Sequence, residues 1–463
     1  MSSLKLPFDL ILATIDQVAY CNDISTLRSC SLLHRDLLPH CRKHLFRTFD
    51  LRTAIPHTDQ YLSKFDALLT SSPQLTRYVR VVHIVCVRDS PLGLTEWLLA
   101  RPFVAHFLRL LCNVEMLGLY IDFMQDVSWN AITPEIQYEI ERIITQPCCT
   151  QLALSCLVDI PPSLLNKCRF LKGLSIDSCS MESLSDTKSN LLEGEKLVLT
   201  NPESESRWIR LTSATFLNSD KILYDIYPCS SNFSLFLNFS SLKHLTLTLY
   251  PFTNQLMWKL IHSTFRTLET LILNHPVNVN FLAKVIDTSQ GLSSLSRLSR
   301  FSFSLVPPNL AGQTHIEHLA ELCILLRTCP SDVKDIHITI DLFSYPVRRI
   351  QRLLFPRRNR KRNRRRKRNH TPTPFLQELD ATLSSRTLFP CLNTVRIEIL
   401  LAEEYIQTSE SEFAVYPNSA RREIELPSLD DVEEEVRRMM ALTSESFSLN
   451  KDGGLWIDVE IGY

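Results

Sequence analysis

The sequence predicts an α/β chain in which short parallel strands alternate with helices behind a small, wholly helical N-terminal unit. Three observations carry this. One apolar pattern recurs along most of the chain, the segments between its copies step at helical intervals, and the first 45 residues carry helix punctuation instead.

The recurring pattern is apolar-x-x-apolar-x-apolar. It reads Phe46-x-x-Phe49-x-Leu51, Val79-x-x-Val82-x-Ile84, Val114-x-x-Leu117-x-Leu119, Cys149-x-x-Leu152-x-Leu154 and Leu171-x-x-Leu174-x-Ile176. It resumes as Leu242-x-x-Leu245-x-Leu247, Leu268-x-x-Leu271-x-Leu273, Leu298-x-x-Phe301-x-Phe303, Val333-x-x-Ile336-x-Ile338 and Leu392-x-x-Val395-x-Ile397. The end of each copy alternates with period two, the mark of a strand that turns one face to a core. Anchored on the middle residue, most copies stand 22 to 59 residues apart. One gap of 71 is divided into 23 and 48 if Lys196-Leu197-Val198-Leu199 is a partial copy.

Between copies the apolar residues step by three and four. Ile316, Leu319, Cys323 and Leu326 do so, as do Leu256, Leu260 and Ile261, and Phe281, Leu282, Val285 and Ile286. A strand followed by a helix, repeated, builds a parallel sheet with right-handed crossovers. Only 9 of 463 residues are Gly. A doubly wound nucleotide fold uses glycine at its binding turns. No G-x-G-x-x-G, P-loop or G-x-S-x-G motif is present.

Three polar stretches interrupt the array. Residues 177–210 and 403–425 are rich in Ser and Glu and read as loops, and residues 345–374 hold a basic run among Pro346, Pro356, Pro372 and Pro374. After the last of them, Ser428-Leu429-Asp430-Asp431 opens a helix with Val432, Val436, Met439 and Met440 as its apolar stripe. Leu455, Ile457, Val459 and Ile461 then alternate as a closing strand. The domain reading is a helical unit at 1–50, an array at 51–345, a basic insertion at 346–374, and the end of the array at 375–463.

In the N-terminal unit, Pro7 suits a first helical turn and Asp9 complements the helix dipole. Leu10, Ile11, Ile15, Val18 and Ala19 fall along one face. Asn22-Asp23 breaks the helix, and Asp23 or Ser25 caps the next, which carries Leu27, Cys30, Leu32 and Leu33. Pro39 interrupts the chain before Leu45 and Phe46. So short a unit buries little core alone and leans on a partner.

Leu6-Pro7-x-Asp9-Leu10-Ile11, then Asp23-Ile24-x-Thr26-Leu27, then Cys30-Ser31-Leu32-Leu33-x-Arg35 resembles an F-box, and the extension from Leu38 to Phe46 is similar to the tail of fungal F-box proteins. The family often has Trp where Asp36 stands. The array resembles the degenerate leucine-rich repeats that follow many F-boxes, though regular repeats run about 20–29 residues and the consensus Asn is mostly missing.

The resemblance implies an irregular leucine-rich-repeat solenoid, with helices outside a curved parallel sheet. It implies a substrate-recognition subunit of an SCF-type ubiquitin ligase. The F-box would bind a Skp-type adaptor on a cullin scaffold, with Leu6, Pro7, Leu10, Ile11, Ile15, Leu27, Leu32 and Leu33 as its contacts or their support. The array would hold a protein target whose identity the residues do not disclose.

Composition is ordinary for a globular chain, 44% apolar and 22% charged. There are 50 cationic and 50 acidic residues, but ten cations fall between Arg357 and Arg368 and leave the remainder at about −10. The run comprises Arg357, Arg358, Arg360, Lys361, Arg362, Arg364, Arg365, Arg366, Lys367 and Arg368. Like charges this dense repel and stay extended. A nuclear import signal, a phosphate contact or a solvated loop all fit. No aromatics interleave, so base stacking is not expected. A nuclear scaffold outside any ligase, or a weakly nucleic-acid-associated solenoid, is the alternative reading.

The 14 Cys form no C-x-x-C pair, no secretory leader is legible, and no run of about 18 apolar residues exists. Reduced thiols in cytoplasm or nucleus are expected, with no membrane partner. His40 and His44 stand four apart, and His315 and His318 stand close to Glu321. Neither pair has further ligands nearby in sequence, so no metal and no cofactor are expected. No nucleophile motif appears, and the chain reads as a non-enzyme.

Overall fold

The computed structural model describes residues 7–52, 58–86, 102–121, 126–182, 209–219, 222–223, 237–248, 254–275, 292–305, 316–341, 374–385, 387–402 and 455–462. The chain is α/β and divides into two compact units, Met1–Asn238 and Phe239–Tyr463.

The first unit opens with three helices, α1 (Phe8–Tyr20), α2 (Ile24–Leu33) and α3 (Leu38–Leu45). Pro7 precedes α1, and Asn22 ends it in a left-handed conformation at φ 56°. The Asp23 carboxylate caps α2, accepting from Thr26 N at 3.0 Å. Pro39 lies in the first turn of α3, where it starts a helix and does not break one. Ile15, Leu27, Leu37 and Cys41 form the buried centre of this cap, with Ile11, Leu12, Val18, Ala19, Cys30 and Leu45 packed around it.

The main strands of the first unit are β1 (Thr48–Arg52), β2 (Val81–Cys86), β3 (Met116–Ile121), β4 (Gln151–Ser155), β5 (Gly173–Asp177) and β6 (Ser213–Leu217). Each pairs in parallel with the one before it in the chain. The middle residues of the repeated pattern stand in one register row: Phe49, Val82, Leu117, Leu152, Leu174 and Ala214. The third residues form the next row: Leu51, Ile84, Leu119, Leu154, Ile176 and Phe216. All twelve are buried.

The second unit repeats the plan with β7 (His244–Thr248), β8 (Thr270–His275), β9 (Arg300–Leu305), β10 (Asp335–Asp341), β11 (Thr394–Ala402) and β12 (Leu455–Gly462). Leu245, Leu271, Phe301, Ile336, Val395 and Leu455 stand in one row. Leu247, Leu273, Phe303, Ile338, Ile397 and Ile457 stand in another. The pattern therefore sets register as well as strand identity. A slip by one residue would turn every apolar side chain to the other face.

The residue before each strand repeats one backbone device. Arg47 O accepts from both Arg80 N and Val81 N, Arg80 O from Glu115 N and Met116 N, and Glu115 O from Thr150 N and Gln151 N. The second unit repeats it: Lys243 O accepts from Glu269 N and Thr270 N, and Glu269 O from Ser299 N and Arg300 N.

 The same row continues through Ser299 O and Lys334 O.

Helices connect the strands: α4 (Thr58–Ser71), α5 (Pro102–Leu110), α6 (Pro134–Ile144) and α7 (Pro162–Lys167) in the first unit, and α8 (Asn254–Ser263), α9 (Ile316–Arg327) and α10 (Pro374–Leu383) in the second. Cys156, Ser178 and Asn218 follow β4, β5 and β6 directly and have φ of 55°, 51° and 46°. This glycine-poor chain thus leaves three successive strands through a left-handed residue that carries a side chain.

Strand β6 departs from the sequence reading. Its copy, Leu211-x-x-Ala214-x-Phe216, has the small Ala at the middle position, where the other copies carry a large apolar residue. It divides the long gap before Leu245. The polar stretch expected to run as a loop to 210 ends earlier, because Ile209–Arg210 pairs in parallel with Leu237–Asn238. The partial copy at 196–199, the helical pattern at 281–286, the helix expected from 428 and the basic run at 357–368 lie outside the described residues. No described helix is long and apolar enough to cross a membrane.

Candidate functional site

The N-terminal cap has a complete core and, outside it, a concentration of uncovered apolar side chains. Leu32 is 86% exposed, Leu33 75% and Leu10 53%, and Phe8, Tyr20 and Ile24 are exposed too. Among the described residues only Leu68, Tyr138, Phe170 and Phe265 are comparable elsewhere. A single exposed leucine is ordinary on a protein surface. Six large apolar side chains within one three-helix unit point to an interaction surface.

Helix geometry decides which residues are uncovered. On α1, Ile11 and Ile15 are one turn apart and face the cap core, while Leu10 points away from it. On α2, Leu27 is buried at 1% exposure, and Leu32 and Leu33 project beyond the core at the C-terminal end. The candidate contact residues therefore separate. Pro7, Leu10, Leu32 and Leu33 are exposed, Ile11 is half-buried, and Ile15 and Leu27 are interior supports. Leu6 lies outside the described residues. Phe8, Tyr20 and Ile24, which lie outside the apolar stripe read from the sequence, join the exposed set.

The cap borders the rest of its unit along a groove of about 430 Å³, lined by Phe8, Leu12, His40, Lys43, Arg77 and Arg80 among others. The imidazole of His40, which lines this groove, and that of His44 both reach Asp16. Burial pushes the Asp16 carboxyl up, but hydrogen bonds from His44 and His40 outweigh it and hold the group below its ordinary value.

A second surface is the polar side of the strands. In the first unit His83 Nδ1 lies 2.9 Å from Asp50 Oδ1, and its ring meets Tyr120 edge-on with centroids 5.4 Å apart. The Tyr120 ring occupies the space where a side chain at Gly118 would begin. Burial, and then the Asp50 charge, raise the Tyr120 phenol. In the second unit Glu398 accepts from Arg396 at 2.9 Å and pairs with His337 at 3.3 Å. These positions alternate with the buried rows along their strands.

The described cysteines are free thiols. Burial pushes Cys86, Cys149, Cys168, Cys179 and Cys323 up to about 12. Such thiols stay protonated at neutral pH and serve as small apolar side chains. His315 lies outside the described residues.

No protein-family model matches this chain, and no curated protein sequence matches it.

Proposed function

We propose that this chain is a target-recognition subunit of an SCF-type ubiquitin ligase. In this reading the cap is an F-box that docks on a Skp-type adaptor carried by a cullin scaffold. The strands and helices behind it form degenerate leucine-rich repeats whose polar face holds a protein target. The chain makes no bond to that target; it raises the target's local concentration near the ubiquitin donor. It works in cytoplasm or nucleus.

The observation that carries the reading is the cap itself: a unit whose own core is closed, yet whose Leu10, Leu32 and Leu33 are left to solvent. The F-box-like spacing of these residues supports the identity of the partner. Strand order that follows chain order within each unit supports the repeat array.

The test is co-purification of a Skp-type adaptor with the wild-type chain and with a Leu10→Asp, Leu32→Asp, Leu33→Asp variant. Placing a carboxylate in an apolar interface costs on the order of 2–5 kcal/mol. Adaptor should be lost, and the melting temperature should hold, because none of the three side chains belongs to the core. Adaptor recovered equally with both chains would overturn the assignment.

A further inference from the structure

We propose that Asp16, His40 and His44 form a divalent transition-metal site, suited to zinc, that ties α1 to α3. His40 Nε2 lies 2.8 Å and His44 Nε2 2.7 Å from the same oxygen, Asp16 Oδ1. The three ligand atoms all fall within 4.8 Å of one another.

The helices explain the convergence. Residues four apart share a helix face, so His40 and His44 present both imidazoles side by side, with ring centroids 5.3 Å apart. Helix α1 packs against α3 and brings Asp16 across from a position 24 residues earlier. The imidazoles are mostly covered, with side chains 21% and 14% exposed, whereas Asp16 is 53% exposed. Two ligands are thus held in place, and the third stands at the open side, where water can complete a fourth position.

The donor set selects the metal class. Two imidazole nitrogens and one carboxylate suit zinc and its neighbours, while calcium and magnesium favour all-oxygen sites. Cys41 lies between the histidines in sequence but is buried in the cap core, so no thiolate joins the set. With metal–ligand bonds of about 2.0–2.2 Å, tetrahedral ligand atoms stand roughly 3.3–3.5 Å apart. From 2.7 and 2.8 Å, Asp16 has to withdraw by roughly 0.5–0.8 Å to reach that spacing. In the metal-bound form each imidazole gives its Nε2 lone pair to the metal and keeps its ring proton on Nδ1, and the two hydrogen bonds to Asp16 give way to two N–metal bonds and one O–metal bond.

The site stands or falls independently of adaptor binding. The full-length chain, reduced and freed of chelator, is titrated with Zn²⁺ by calorimetry and with Co²⁺ by visible absorption. Expected are one site per chain, a Co²⁺ spectrum of nitrogen and oxygen ligation without thiolate charge transfer, and a zinc-dependent rise in melting temperature. Asp16→Asn and His44→Gln should each remove that rise. They should weaken zinc at least about tenfold, since losing even an outer partner of a ligand costs 10–100-fold. A measurement on the wild type alone guards against variants that fail to fold: zinc should protect His40 and His44 from carbethoxylation, read by peptide mass. A thiolate-type Co²⁺ spectrum, variants that bind zinc like the wild type, or histidines modified equally with and without zinc would each overturn the site.

Discussion

Arg142 holds the buried carboxylate of Glu139, with Nε 2.6 Å from Oε2, one turn along the same helix, α6. Arg109 reaches the other oxygen from α5 at 2.9 Å. The remaining guanidinium nitrogens of Arg142 donate to Leu108 O and Leu111 O, where α5 ends. One ion pair therefore satisfies a buried acid and closes a neighbouring helix.

That arrangement makes stability depend on pH. Burial pushes the Glu139 carboxyl up, but hydrogen bonds from Arg142 and then Arg109 outweigh it and place it below its ordinary 4.5. A depressed carboxylate stabilises the fold above its unfolded value and loses that contribution as pH falls through the folded one. Glu139→Ala should cost about 3 kcal/mol at pH 7, the low end for breaking a buried pair because Arg109 is well exposed. Denaturation of both chains from pH 7 to pH 3 checks the sign. Their difference should shrink below pH 4.5, and a constant difference would contradict the assignment.

The buried rows should bear far more weight than the polar face. Leu271 is fully buried between Leu245 and Phe301 in the register. Leu271→Ala should destabilise by roughly 2–5 kcal/mol. Ser302, which pairs with Ile272 on the opposite face of the same strands, should tolerate Ala within about 0.5 kcal/mol. Urea titrations of the two variants compare them directly, and equal losses would contradict the two-faced sheet.

The basic run makes a separate prediction from sequence alone. Changing Lys361, Arg362, Arg364, Arg365, Arg366 and Lys367 to Ala together should move a fluorescent fusion from nucleus to cytoplasm, with little change in melting temperature. An unchanged distribution would exclude import through this segment. Retention on DNA would then be compared at about 50 and 200 mM salt, where phosphate contacts weaken by orders of magnitude.

What the sequence determined by itself is the strand ladder. Apolar residues at spacing two bury one face of a strand, and stacking identical triplets in parallel leaves one register that buries them all. Phe49 and Leu51 are therefore already assigned to the rows that Val82 and Ile84 join. The reading failed at Ala214, where a small side chain fills a place the pattern gives to a large one. Tertiary structure alone decided the polar constellations. Asp16 meets His40 and His44, and Arg109 meets Glu139, across separations of 24 to 30 residues. No periodicity links such residues, because their meeting depends on how two helices pack. The same packing decided that Ile15 and Leu27 close the cap core while Leu10, Leu32 and Leu33 stay exposed: a helical stripe names the apolar residues, and only the neighbouring helix determines which of them it covers.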